Sequence, residues 1–197
     1  MRFIWNFLSE NKHFYLLLLL LPLLVWFNYL ELTIVPEYYI YSHLDDRIPF
    51  VKEFVVPYII WFVYIAYAII YTGLNCRREY CKLLIFLGAG MAIAYTICTI
   101  FPNGQNLRPV ITQDDPFSMI VKYIYATDTS TNVWPSVHVI NSIAANTALQ
   151  HTEKFSRGKI RRYVSHILTI LICASTVLIK QHSILDVAGG IMVATLV

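Results

Sequence analysis

Long apolar runs separated by short polar segments dominate this chain. The runs over residues 14–31, 55–74 and 82–101 each approach the roughly 20 residues a helix needs to cross about 30 Å of hydrocarbon. Three further segments, 136–150, 163–179 and 183–197, are shorter or more polar. Segment 136–150 carries Asn141, Ser142, Asn146 and Thr147, which lipid cannot satisfy, so it is predicted to lie inside a bundle. The pattern therefore predicts an all-α polytopic membrane protein, a six-helix transmembrane bundle. Neither an internal repeat nor a low-complexity linker divides it, and residues 1–197 read as a single membrane-embedded domain. The first run begins near Phe14 and lacks a small-x-small cleavage site, so it reads as a span rather than a removable signal peptide. Beyond His182 too few residues remain for a full crossing at 1.5 Å per residue, and no basic stop follows Val197. A slightly longer natural chain is expected.

Charge between the runs sets an expected orientation, because basic loops stay on the cytoplasmic side. Segment 151–162 holds Lys154, Arg157, Lys159, Arg161 and Arg162 against Glu153, and segment 75–81 holds Arg77 and Arg78 against Glu79. Acids lead elsewhere. Glu31, Glu37, Asp45, Asp46 and Glu53 outnumber Arg47 and Lys52 in 31–54, and Asp114, Asp115 and Asp128 outnumber Arg108 and Lys122 in 102–135. The alternation puts both termini in the cytoplasm and the first, third and fifth loops outside.

Composition agrees with a membrane setting. Apolar residues make up 57% and charged residues 14%, against roughly 25% charged in ordinary globular chains. A net charge of +3 is too small to argue for nucleic acid. Cys76 and Cys81 fall in a loop assigned to the cytoplasm, where thiols stay reduced. Their spacing has no nearby Cys or His pair to complete a zinc site. Neither a metal nor a cofactor is expected, and the oligomeric state is left open.

Three polar clusters fall at membrane boundaries, all on the expected outer side. FPNGQNLRPV presents Arg108 and Pro109, WPSVHV presents Pro135, Ser136 and His138, and STVLIKQHSILDV presents Ser175, Lys180, His182 and Asp186. The i, i+4 spacing of His182 and Asp186 puts both on one helix face. A carboxylate there can hold one ring N–H and leave the other nitrogen nucleophilic. The plainer reading is a structural His–Asp pair tying helices together. Pro135 near a helix start leaves the first-turn N–H groups and the positive helix end beside Ser136 and His138, which suits an anion. Arg108 offers a fork of donors for two phosphate oxygens, or else anchors the chain at lipid headgroups. Lys180 reads either as a second cation for the site or as a snorkelling interfacial lysine.

The spacing R-P, P-S-x-H, S-x6-H-x3-D resembles the type-2 phosphatidic acid phosphatase superfamily, which includes lipid phosphate phosphatases and vanadium haloperoxidases. The likeness runs over residues 101–190, through Arg108 and Pro109, then Pro135, Ser136 and His138, then Ser175, His182 and Asp186. The family's lysine falls on Phe101 and its second arginine on Thr176. Sphingomyelin and inositol-phosphorylceramide synthases relax the same flanking cations, and DDRIPFVKEFVVPYIIW is similar to theirs. The resemblance implies a metal-independent hydrolase for a lipid phosphate or pyrophosphate monoester at the extracytoplasmic face of the cell membrane. In it His182, oriented by Asp186, becomes a phosphohistidine, and His138 is the general acid and base. Arg108, Ser136, Ser175 and Lys180 would bind phosphate, with the lipid tails between helices. Transfer of a phospho-headgroup to an acceptor lipid, or a non-enzymatic role, stays open at this point.

Overall fold

A computed structural model describes residues 10–197. The expected cytoplasmic N-terminus and the first stretch of the single domain involve residues 1–9, outside the described residues. Helix α1, Lys12–Thr33, opens as a 3-10 segment over Lys12–Leu19 and continues as α-helix from Leu20. The loop that follows holds β1 (Tyr38–Tyr39) and the short α2 (His43–Arg47). A 3-10 turn, Lys52–Phe54, leads into α3 (Val55–Asn75), and α4 (Arg77–Ile100) follows after Cys76. Then come β2 (Asn103–Gly104), α5 (Pro116–Thr127), α6 (Val137–Gln150), the short α7 (Glu153–Arg157), α8 (Lys159–Leu178) and α9 (Ile184–Leu196).

Each of the six anticipated runs is helical, and four helices (α1, α3 with its lead-in, α4 and α8) are long and apolar enough to cross a membrane. Helices α6 and α9 have 14 and 13 residues, about 20 Å each at 1.5 Å per residue. The class is all-α, with one small pairing beside the helices. Tyr38 and Tyr39 pair in parallel with Asn103 and Gly104, a two-residue bridge between two loops. Pairings this short leave no periodicity in sequence.

Lipid explains why the outside is greasy. Leu18, Leu21, Leu24 and Val25 of α1, Phe62 and Val63 of α3, and Val164 and Ile167 of α8 are all exposed on the bare protein. Such continuous apolar faces would be an aggregation liability in water and are ordinary against acyl chains. Helix α6 is the opposite case, as its polar residues foretold. Asn141, Ser142, Ala144, Ala145 and Ala148 are buried, and α6 packs against α3, α4, α8 and α9. Small residues set those distances, the usual device between membrane helices. A Cβ added at Gly90 of α4 would stand 2.5 Å from Ile140 of α6, and one at Gly190 of α9 would stand 2.8 Å from Ser136 O and from Val139. Within the bundle, Tyr64 of α3 shares hydrogen bonds with Ser165 (2.8 Å) and Thr169 (3.2 Å) of α8.

The two ends of the bundle differ in chemistry. At the start of α3, Tyr58 meets Asp128, Gln181 and the His138 ring. Near its other end, Tyr71 lies against Phe155 and beneath the Lys154 ammonium. About 20 Å of helix separates Tyr58 from Tyr71 at 1.5 Å per residue. The histidines and the basic 151–162 segment thus occupy opposite ends.

Candidate active site

Three connections converge at the Tyr58 end. Ser183 caps α9 in a capping box, its hydroxyl accepting from Leu185 N–H while its own N–H donates to the Asp186 carboxylate at 2.8 Å. The same carboxylate oxygen lies 3.2 Å from His182 Nδ1. A carboxylate can only accept, so Nδ1 carries the proton and Nε2 is left with its lone pair. Asp186 is fully buried and its second oxygen has no partner.

Opposite stands His138, in the first turn of α6. Its ring packs on Trp61 at 4.3 Å and on Tyr58 at 4.7 Å between centroids, and lies edge-to-face with His182 at 5.7 Å. Both histidines line one cavity of about 390 Å³. Its apolar wall comes from Leu24, Phe27, Phe62 and Met91, and its polar end from Asp128, Asn132, Asn141 and Gln181 with the histidines. The volume is that of a small-molecule site, and the apolar wall runs between α1, α3 and α4.

The turn between α8 and α9 is held from several sides. Gln105 Nε2 donates to Lys180 O at 2.9 Å, Val51 N–H donates to Leu178 O at 2.9 Å, and Tyr125 donates its hydroxyl to Ile179 O. Asp45 of α2 reaches across to accept from the Ser183 hydroxyl at 2.6 Å and from Ile184 N–H at 2.9 Å. Asp45 is itself buried, so a carboxylate from the α1–α3 connection caps the helix that carries Asp186. No sequence argument singled Asp45 out; the S-x-x-D spacing of Ser42 and Asp45, a second capping box, was the available signal.

The residues expected to bind phosphate fall elsewhere. Lys180, at φ 57°, buries its ammonium between Asp45 O (2.8 Å) and Ile48 O (2.6 Å), and it does not line the histidine cavity. Its charge is therefore used to staple the α1–α3 connection to the α8–α9 turn. Ser175 donates back to Ile172 O at 2.6 Å within α8 and is wholly buried. Arg108 spends its fork on the carbonyls of Tyr125 (3.0 Å), Asp128 (2.7 Å) and Thr129 (2.8 Å), and stacks 4.6 Å from the Tyr125 ring. Burial lowers its pKa from the ordinary value, opposed by the Asp128 charge, and the Tyr125 hydroxyl is pushed up to about 12 by burial. Ser136 caps the start of α6, fully buried, its N–H on Asp186 O at 3.1 Å and its hydroxyl unpartnered. The positions that lack the family cations are filled by packing, since Phe101 stacks on Tyr38 at 4.3 Å and Thr176 is buried.

A family model, that of the PAP2 superfamily, matches residues 83–197. The chain belongs to the PAP2 superfamily. No curated protein matches the chain, nor does any solved structure. The PAP2 match spans α6, α8 and α9 and so contains His138, His182 and Asp186, whereas Asp45 and Tyr58 lie before it. PAP2 membership fits a phosphatase-type function, the hydrolysis of a phosphoric ester, in a helical membrane protein. Among the described residues, no group of three or more His, Cys, Asp and Glu side chains is placed to hold a metal ion.

Proposed function

We propose that this PAP2 protein cleaves the phosphoester of a membrane lipid through a phosphohistidine on His182. One observation carries the reading: two histidines share a single cavity at 5.7 Å, one of them backed by a buried carboxylate. Nε2 of His182 attacks phosphorus while Asp186 holds Nδ1–H and balances the positive charge that develops on the ring. His138 gives a proton to the departing oxygen and then takes one from water as water attacks the phosphohistidine. The first-turn N–H groups of α6, which a helix leaves without intrahelical partners, face the charge on the phosphoryl oxygens. The lipid tails follow the apolar wall between α1, α3 and α4.

In this reading the chain crosses the membrane six times, with α6 and α9 as short crossings shielded by their neighbours. The site lies at the extracytoplasmic face of the cell membrane. Support comes from the separation of the histidines from the basic 151–162 segment, because basic loops stay inside. The test is trapping with a lipid labelled on phosphorus. Wild-type protein should give acid-labile, base-stable label on His182, and His182→Ala should lower turnover by about three orders of magnitude or more. Label on His138 alone would reverse the two roles, and turnover unchanged in His182→Ala would end the proposal.

A further inference from the structure

At the end of the bundle remote from the histidines, a second cavity of about 610 Å³ opens where α3 ends and α7 gives way to α8. Lys154, Arg157 and Arg161 line it, with Glu153 as the one carboxylate. Glu153 pairs with Arg157 at 2.7 Å. Among the described residues, neither Lys154 nor Arg161 has a salt-bridge partner. Two positive charges are therefore left in excess around the cavity. The Lys154 ammonium is held 5.6 Å over the Tyr71 ring, and that ring packs edge-to-face on Phe155 at 5.6 Å. Gly158 keeps the cavity floor open. A Cβ there would stand 2.7 Å from Lys154 O and 3.5 Å from Arg161 Nη1.

Basic residues that only fix orientation need no particular arrangement, because the charge of the loop is what counts. These three converge on one cavity, two of them without a counter-charge. Apolar surface flanks the same place. Tyr67, Ile70 and Leu74 of α3 and Val164 of α8 are exposed on the bare protein, and α3 and α8 pack against each other. A ligand here meets cations at the end of the bundle and hydrocarbon side chains along its flank. A soluble anion would use the first and leave the second idle. A zwitterionic lipid would use the second and bring a cation of its own against the first.

We infer that this cavity binds the headgroup of an anionic phospholipid, at a lipid site separate from the histidine cavity. The phosphate anion lies between Lys154 and Arg161, whose guanidinium offers it paired N–H donors. The acyl chains run along Tyr67, Ile70 and Leu74 of α3 and Val164 of α8. In the orientation proposed above, the lipid belongs to the cytoplasmic leaflet. About 20 Å of helix between Tyr58 and Tyr71 keeps it clear of the histidines. It is therefore a bound anchor between α3 and α8, not a substrate.

The experiment titrates the purified full chain in detergent with dioleoyl phosphatidylglycerol, dioleoyl phosphatidylcholine or glycerol phosphate, and counts bound molecules by native mass spectrometry. Phosphatidylglycerol should occupy one site about tenfold or more tighter than phosphatidylcholine does, and glycerol phosphate should leave that site empty at the same concentrations. A basic residue beside an anionic lipid contributes roughly 1 kcal/mol, about fivefold in affinity. Replacing two of them, Lys154→Gln with Arg161→Gln, should weaken that one site by about thirtyfold and leave other bound lipid unchanged. Both side chains are exposed, and the charge-preserving pair Lys154→Arg with Arg161→Lys should stay within about threefold of wild type, which separates charge from misfolding. Unchanged phosphatidylglycerol binding in the glutamine pair overturns the inference, as does a thirtyfold loss in the charge-preserving pair. Phosphatidylcholine bound as tightly as phosphatidylglycerol overturns it too. Glycerol phosphate bound as tightly as phosphatidylglycerol would make this a site for a soluble phosphate and overturn the lipid assignment. No readout is turnover, so the phosphohistidine reading stands or falls separately.

Discussion

Lys180→Met separates a structural cation from one that serves phosphate. The ammonium makes two hydrogen bonds to buried carbonyls, at 2.8 Å to Asp45 O and 2.6 Å to Ile48 O. Hydrogen bonds from a charged donor contribute about 1.5–3 kcal/mol each, so the pair contributes roughly 3–6 kcal/mol. Methionine keeps the apolar stem and relieves the cost of burying a charge, which offsets part of this. It also leaves two carbonyls without a donor. A net destabilisation of about 2–4 kcal/mol is expected. Catalysis per folded molecule should stay within about threefold of wild type, because Lys180 does not line the histidine cavity and its ammonium is held by Asp45 O and Ile48 O. The assay pairs thermal or denaturant unfolding in mild detergent with kcat/KM normalised to folded protein. Unchanged stability with a loss in kcat/KM of about a hundredfold would put the ammonium at the phosphoryl group and refute this account of the α8–α9 turn.

Two further outcomes follow from the loops at this end of the bundle. Asp45→Ala removes the acceptor for Ser183 Oγ and Ile184 N–H, so stability should fall by about 2–4 kcal/mol and kcat by about tenfold to a hundredfold as His182 and Asp186 lose their fixed geometry; unchanged kcat in folded Asp45→Ala would show that the cap does not position them. Asp115 caps α5 through Phe117 N–H and Ser118 N–H, and its bond to Lys52 at 2.6 Å, with the Ser118 hydroxyl, lowers its pKa well below the ordinary carboxylate value. A depressed folded pKa stabilises the protein above the unfolded value near 4, and that contribution is lost as pH falls through the folded one. Asp115→Asn keeps an acceptor for the cap and removes the charge, so its melting temperature should fall below wild type at pH 7, and the gap should narrow steadily as pH is lowered below about 4; an offset independent of pH would mean the ion pair is inert.

Much of the frame was legible in the residues themselves. Apolar runs of about 20 residues announce helices because lipid leaves no other way to satisfy a backbone. The polar positions of 136–150 announced a helix in the bundle interior, and α6 lies there, buried on several sides. His182 and Asp186 were readable as a pair because i, i+4 spacing is a local property of a helix, and their atoms lie 3.2 Å apart. Pro135 and Ser136 marked the start of α6 for the same local reason.

What the tertiary structure alone decided is where each cation goes. Arg108, Ser175 and Lys180 have side chains suited to phosphate, and residue type cannot distinguish a phosphate oxygen from a backbone carbonyl. The fold gives Arg108 the carbonyls at Tyr125, Asp128 and Thr129, Ser175 the carbonyl of Ile172, and Lys180 those of Asp45 and Ile48. It also brings Glu31, Asp128 and Gln181, separated by about a hundred and then about fifty residues, around the two histidines. Spacing along a chain carries no information about such meetings. They are set by how closely α4, α6 and α9 approach, at Gly90 and Gly190, and a cavity's charge is the sum of side chains that only packing assembles.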